Sequence, residues 1–351
     1  MLFLSPFLDL CEITNMPRYK LILKTIFTAL LCYFPLQSNL AQKKVKVLIT
    51  STVDQTQQPC YVILPRGYEK SNDVDKRPLL ISLHSWSAGL EQVKPELEKQ
   101  AAKLGWIYVF PHFRGPNQTP AACGSELAQQ DILDAVIWVK QNYRIDHSRI
   151  YLTGASGGGH MTMLMVSRHP EVWTAASAWV GISDLAAWYA LHEKSRYGAM
   201  LRKSCGGAPG DSAQVDAQYR QRSPLPFLKN SSKVPLDIAA GIHDGHTGSV
   251  PIFHSLLAFN EIAKATGDRL ITANEIKQLS IPQGRLKNPL PLDQEQDTAL
   301  GREIYLRRYA GQSRVTIFEG GHEGITAAAL DWLKRFHRLE DGNIYDGSKQ
   351  K

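Results

Sequence analysis

A serine set among glycines, between an apolar run and a helical one, restricts this chain more than any other feature. Arg149-Ile150-Tyr151-Leu152-Thr153 reads as a short strand, Gly154-Ala155-Ser156-Gly157-Gly158 as a G-x-S-x-G turn, and Met161 to Val166 as the helix that follows. A strand turning sharply into a helix holds the serine in a strained backbone conformation, with its hydroxyl exposed above the sheet edge. Glycines flank it because the two backbones approach too closely for a Cβ. A plain glycine-rich turn would carry the same five residues. The reading therefore needs an acid and a histidine further along, in the order Ser, Asp, His.

Both are present. Asp244 closely follows the apolar run Leu236 to Ala240, and His322 closely follows Val315 to Phe318 in Glu319-Gly320-Gly321-His322-Glu323. The order Ser156, Asp244, His322 is that expected of an α/β-hydrolase. In such a triad His322 takes the serine proton and returns it to the leaving group, while Asp244 fixes the imidazole tautomer. The expected oxyanion donors are the backbone N–H groups of Gly157 and of Trp86, in the turn Leu83-His84-Ser85-Trp86-Ser87. The Trp86 indole is then expected to face the acyl side of the pocket. Arg114 is a candidate clamp for a substrate carboxylate, although its loop setting favours a plain surface arginine. Trp188 and Tyr189 are candidates for lining the pocket or for burying a lid. His243 and His246 flank Asp244, but no further ligands are evident beside them, so no metal is expected. His160 is expected to pack under the site at the helix start.

The rest of the chain alternates strand and helix. Val45 to Ile49, Cys60 to Leu64, Pro78 to His84, Trp106 to Phe110 and Ala175 to Val180 read as further strands. Lys94 to Leu104, Leu127 to Tyr143, Ser255 to Ala265 and Ala327 to Phe336 read as helices. Gly105 sits where a left-handed C-terminal cap belongs. The alternation predicts an α/β fold with a mostly parallel central sheet and helices on both faces, functional at the C-terminal ends of the strands. Residues 42–340 form the expected domain, with a lid insertion at 185–230 and a polar, Pro-containing insertion at 266–312 that is longer than an ordinary loop, so that it either carries structure of its own or is a functional insertion. The tail, 341–351, is expected to fray.

Residues 1–41 read as a secretory signal. Met16-Pro17-Arg18-Tyr19-Lys20 is a basic start, Ile26 to Phe34 an apolar core, and Ser38-Asn39-Leu40-Ala41 a cleavage region, with Met16 the expected true start. The apolar run falls short of the ~20 residues a membrane span needs. Leu31 before Cys32 does not suit a lipid anchor. Export leaves Cys60, Cys123 and Cys205, an odd number, so one disulfide and a free thiol are possible and the pairing is open. The formal charge of +7 is spread along the chain without basic clusters, and no nucleic-acid partner is expected.

On these elements the chain resembles the catalytic domain of the prolyl-oligopeptidase-like serine hydrolases of the α/β-hydrolase superfamily. The matching segments are Gly154-Ala155-Ser156-Gly157-Gly158, Tyr219-Arg220-Gln221-Arg222-Ser223-Pro224, Gly241 to Pro251 and Glu319-Gly320-Gly321-His322-Glu323. The resemblance implies serine hydrolysis without a cofactor, on a small-molecule, peptide or glycan-ester substrate. The chain departs from the family in having no N-terminal propeller, in Ser85 where glycine is usual, and in the long insertion between Asp244 and His322. Stand-alone members with a signal peptide include secreted or periplasmic esterases as well as peptidases. The reading is an exported hydrolase of ester or peptide bonds. The alternatives are an acetyl- or feruloyl-type carbohydrate esterase and, from another class, a glycan- or peptide-binding protein on a hydrolase scaffold. A metal-dependent hydrolase using His243 and His246 is a distant third.

Overall fold

The computed structural model describes residues 43–68 and 75–350; the leader lies outside them. The chain runs β1 (Lys43–Thr50), β2 (Gln57–Leu64), β3 (Arg77–Leu83), α1 (Pro95–Lys103), β4 (Ile107–Pro111), α2 (Glu126–Asn142), β5 (Ile145–Ala155), α3 (Gly157–Arg168) and β6 (Ala175–Trp179). It continues α4 (Leu185–His192), α5 (Arg196–Cys205), α6 (Ala213–Arg222), β7 (Leu236–Gly241), α7 (Phe253–Thr266), α8 (Ala273–Leu279), β8 (Ile304–Ala310), β9 (Ser313–Phe318), α9 (Thr326–Leu333), β10 (Phe336–Arg338) and β11 (Ile344–Asp346).

The main sheet has the order β1-β2-β4-β3-β5-β6-β7-β9-β8. From β4 to β9 all neighbours are parallel; β2 and β8 pair antiparallel at its flanks. The parallel strands are apolar on both faces because helices cover both. On β3, Leu79 and Ile81 belong to one apolar cluster with Ile132 and Val136 of α2, Met161 and Leu164 of α3, and Phe259 of α7. Leu80, between them, packs with Leu97 and Ala101 of α1 and Leu330 and Leu333 of α9. The period of two along the strand thus sorts the core into two layers.

Local chemistry sets the helix ends. The Ser125 hydroxyl caps α2 by accepting from the Ala128 N–H at 3.1 Å. Pro95 opens α1, with Glu96 and Glu98 in its first turn. Gly105 takes φ 73° beyond its end, as expected. The lid segment is α4, α5, α6 and a 3-10 turn at Leu225–Ser231.

Of the two readings of the 266–312 segment, the structure has the one with structure of its own: it carries α8 and all of β8. The arginines of β8 are buried against acids: Arg307 on Asp297 at 2.9 Å, and Arg308 on Asp293. The tail is not frayed throughout, since Ile344–Asp346 pairs antiparallel with Phe336–Arg338. Cys60, Cys123 and Cys205 are all free and buried; burial pushes the Cys60 thiol up to about 12 and that of Cys205 to about 11.

Between β7 and β9, Arg314 Nε donates to Asp237 Oδ1 at 2.7 Å, and Ser177 Oγ donates to Oδ2 at 2.9 Å. Both charged side chains are almost fully enclosed. Removing one partner strands the other charge in the core. Arg314→Met is therefore expected to lower unfolding free energy by roughly 3–5 kcal/mol. Urea denaturation checks this; an unchanged midpoint would contradict it.

Candidate active site

Ser156 lies between β5 and α3 with φ 60° and ψ −120°, a conformation that non-glycine residues rarely adopt. Its N–H donates to Trp179 O at 2.9 Å, and its carbonyl accepts from His160 N–H at 2.9 Å. Both bonds hold the strained turn in place. Gly157 begins α3, where an amide has no intrahelical acceptor. A Cβ on Gly157 would collide with the backbone of Trp86. Only glycine lets the helix start approach the turn after β3, and this approach brings the two expected oxyanion amides together.

Asp244 stands three residues beyond β7 and is 1 % exposed. Its Oδ1 accepts from the N–H groups of Gly245 and Val250, each at 3.0 Å. Its Oδ2 accepts from His322 Nδ1 at 2.8 Å. A carboxylate with two backbone donors is fixed in one orientation, so it also fixes the imidazole. With Nδ1–H donated to the acid, Nε2 keeps the lone pair of a base. The His322 side chain is 27 % exposed, against none for Asp244. Two residues past His322, Gly324 packs on Trp179 and Ala155, a Cβ there standing 3.5 Å from the Ala155 methyl. The histidine loop therefore rests on the residue before Ser156.

The surrounding residues have different fates. The Trp86 indole is 2 % exposed and meets Trp188 edge-on at 4.7 Å and His160 at 5.7 Å, so it sits under the lid instead of facing an open pocket. Trp188 donates its indole N–H to Ser249 O at 2.7 Å, and the Tyr189 hydroxyl accepts from Arg202 at 2.8 Å. Both are buried; Trp188 anchors the lid to the loop after β7, and Tyr189 ties α4 to α5 within it. His160 is enclosed, bonded to Arg222 O at 2.8 Å, and burial draws its pKa down to about 4. Arg114 is not a free clamp. Its guanidinium is spent on Asp131 at 2.6 Å and Asp54 at 2.7 Å, which staple its loop to α2 and to the β1–β2 turn.

Some members of the site gave no sequence signal. Glu319 accepts from His243 Nε2 at 2.7 Å and from the Tyr305 hydroxyl at 2.7 Å, and these bonds hold its carboxyl below the usual range. Arg285 lies 3.5 Å over the Tyr305 ring. His243 therefore belongs to a rim network, while His246 is exposed. Tyr305 and Arg285 come from the segment read as an insertion, 62 and 42 residues from His243 along the chain, so only the fold could join them. The post-lid motif also has a use: Arg222 donates to the carbonyls of Ala122 at 2.7 Å and Pro120 at 2.9 Å, tying the lid to the loop before α2.

Sheet order, elbow and lid define an α/β-hydrolase fold. The model of the prolyl oligopeptidase family matches residues 96–275, and the chain belongs to that family of serine hydrolases. Ser156 and Asp244 fall inside the match and His322 beyond it. The chain is 30% identical over 204 residues to feruloyl esterase B of Neurospora crassa, covering 52% of this chain and 59% of that protein. It is 24% identical over 174 residues to a protein named probable acetylxylan esterase A of Neosartorya fischeri, covering 45% and 47%. Among solved structures, the acylaminoacyl peptidase of Pyrococcus horikoshii superposes with a TM-score of 0.54 at 19% identity, over 70% of this chain and 37% of that one. The chain thus spans about half the length of the relatives it matches.

Gly248 packs directly on the Asp244–His322 pair. A Cβ there would collide with Asp244 Oδ1 and stand 2.7 Å from His322 Cβ. Gly248→Ala is expected to displace the pair and lower kcat by roughly 10²-fold, the scale of an ångström misplacement. Steady-state kinetics with a circular dichroism control check this; full activity would contradict the packing.

Proposed function

We propose that the chain is an exported esterase that releases acyl groups from glycans through an acyl-enzyme on Ser156. The observation that carries the reading is the His322–Asp244 bond, anchored by two backbone donors beside the strained Ser156 turn. Ser156 Oγ attacks the ester carbonyl while His322 Nε2 takes its proton. The oxyanion is held by the N–H groups of Gly157 and Trp86. Collapse breaks the bond to the alcohol, which leaves with the proton from His322. Water, deprotonated by the same imidazole, then attacks the acyl-enzyme and restores the serine. Asp244 stabilises the imidazolium in both halves.

The esterase relatives favour an ester substrate, and the reading of residues 1–41 as a signal favours export. Peptide-bond hydrolysis is the second reading, favoured by the fold shared with an acylaminoacyl peptidase. The same triad serves both, and leaving-group protonation and pocket shape decide between them.

A paired assay separates the readings. Hydrolysis of p-nitrophenyl acetate, with little on an aminoacyl-p-nitroanilide, is expected. Ser156→Ala is expected to lower kcat by roughly 10⁴–10⁶-fold. Preference for the anilide would support the peptidase instead. Silence on both substrates would leave a binding protein on a hydrolase scaffold.

A further inference from the structure

A cavity of about 260 Å³ lies between α1 and α9, against the last residues of β5. Its walls include Pro95, Leu97, Trp179, Ile325 and Ala329, with the Lys94 side chain as the cationic group among them. This amine donates to Leu83 O at 2.6 Å and to Ser82 Oγ at 3.3 Å, and stands 5.6 Å from the Phe110 ring centre. An ammonium has three protons, so these bonds leave one. Its acceptors are a carbonyl and a hydroxyl, and no carboxylate pairs with it among the described residues. Glu96, also in the wall, is exposed and engaged by Gln100 at 2.7 Å and Lys99 at 4.0 Å. Burial draws the Lys94 pKa down to about 8, with no nearby anion opposing the shift. Lys94 is half-buried, and a partly desolvated cation without a counter-charge gains when an anion joins it.

We propose that this cavity is a second, non-catalytic site for a small monocarboxylate bearing one apolar ring or branched chain. The carboxylate takes the third Lys94 proton, and the apolar part packs among Trp179, Ile325 and Ala329. The volume falls just below the ~300–1,000 Å³ typical of drug-sized ligand sites, which suits one ring and excludes an oligosaccharide. The walls also include Gly154 and Ala155, immediately before Ser156, and Gly324 to Thr326, just after His322. Occupancy therefore bears on both sides of the elbow. Acids released by ester hydrolysis belong to this ligand class; that consequence, unlike the site itself, rests on the function proposed above.

The test titrates benzoate calorimetrically, at a pH below 7, into the full chain after treatment with a fluorophosphonate that occupies Ser156. One benzoate is expected to bind the treated protein. Lys94→Met is expected to weaken it about tenfold or more, the loss of a charge-assisted hydrogen bond. Ala329→Phe, which fills the cavity without touching Lys94, is expected to abolish binding. It keeps the proposal testable if the lysine variant fails to fold. Absence of benzoate binding, or equal binding in both variants, overturns the site. Failure of the phosphonate to react would count against the proposed function alone, because the cavity variants assign the benzoate site either way.

Discussion

The contact between Gly157 and the backbone of Trp86 governs how this molecule is built. It requires the start of α3 to lie directly on the turn after β3, and this happens only if Ser156 takes its unfavourable backbone conformation. Such strain typically costs about 1–3 kcal/mol and persists only where the surroundings over-determine it. Here the surroundings are the paired strands β3, β5 and β6, enclosed on both faces. The hydrogen bond from Ser156 N–H to Trp179 O ties the turn to the next strand. The core thus holds a local conformation that the five residues alone would not keep.

The charged groups around this turn are handled in three ways. Asp244 is buried but met by two amides and an imidazole, so its orientation is fixed. Arg307, Arg308 and Arg314 are buried but each faces a carboxylate, which binds β8 and β9 to the sheet. Lys94 has only uncharged acceptors. The first arrangement suits a positioned proton carrier and the second a rigid edge, while the third leaves a cation without a counter-charge among its partners. The lid adds an apolar cluster in which Trp86 meets Trp188, so the turn bearing one proposed oxyanion donor is clamped from above.

What could be read from the sequence follows the range of the interactions involved. The apolar strand runs and the left-handed turn at Gly105 depend on neighbours within a few residues, and they stand where expected. Asp244 and His322 were legible because each follows a buried strand, and parallel strands end at one rim. Arg114 was ambiguous because its partners, Asp54 and Asp131, lie 60 and 17 residues away. The strand β8 was missed because Arg307 and Arg308 look solvated until Asp293 and Asp297 fold onto them. β10 and β11 are three residues each, too short for a periodicity to show. The position of the Trp86 indole depended on the lid, which no local pattern fixes.

The central claim is that the fold makes Ser156 the nucleophile. The most direct measurement is peptide mass spectrometry of the full chain after reaction with a fluorophosphonate, alongside His322→Ala. One adduct on Ser156, lost in the histidine variant, is the result this account predicts. An adduct on another residue, or none on the folded protein, would contradict it.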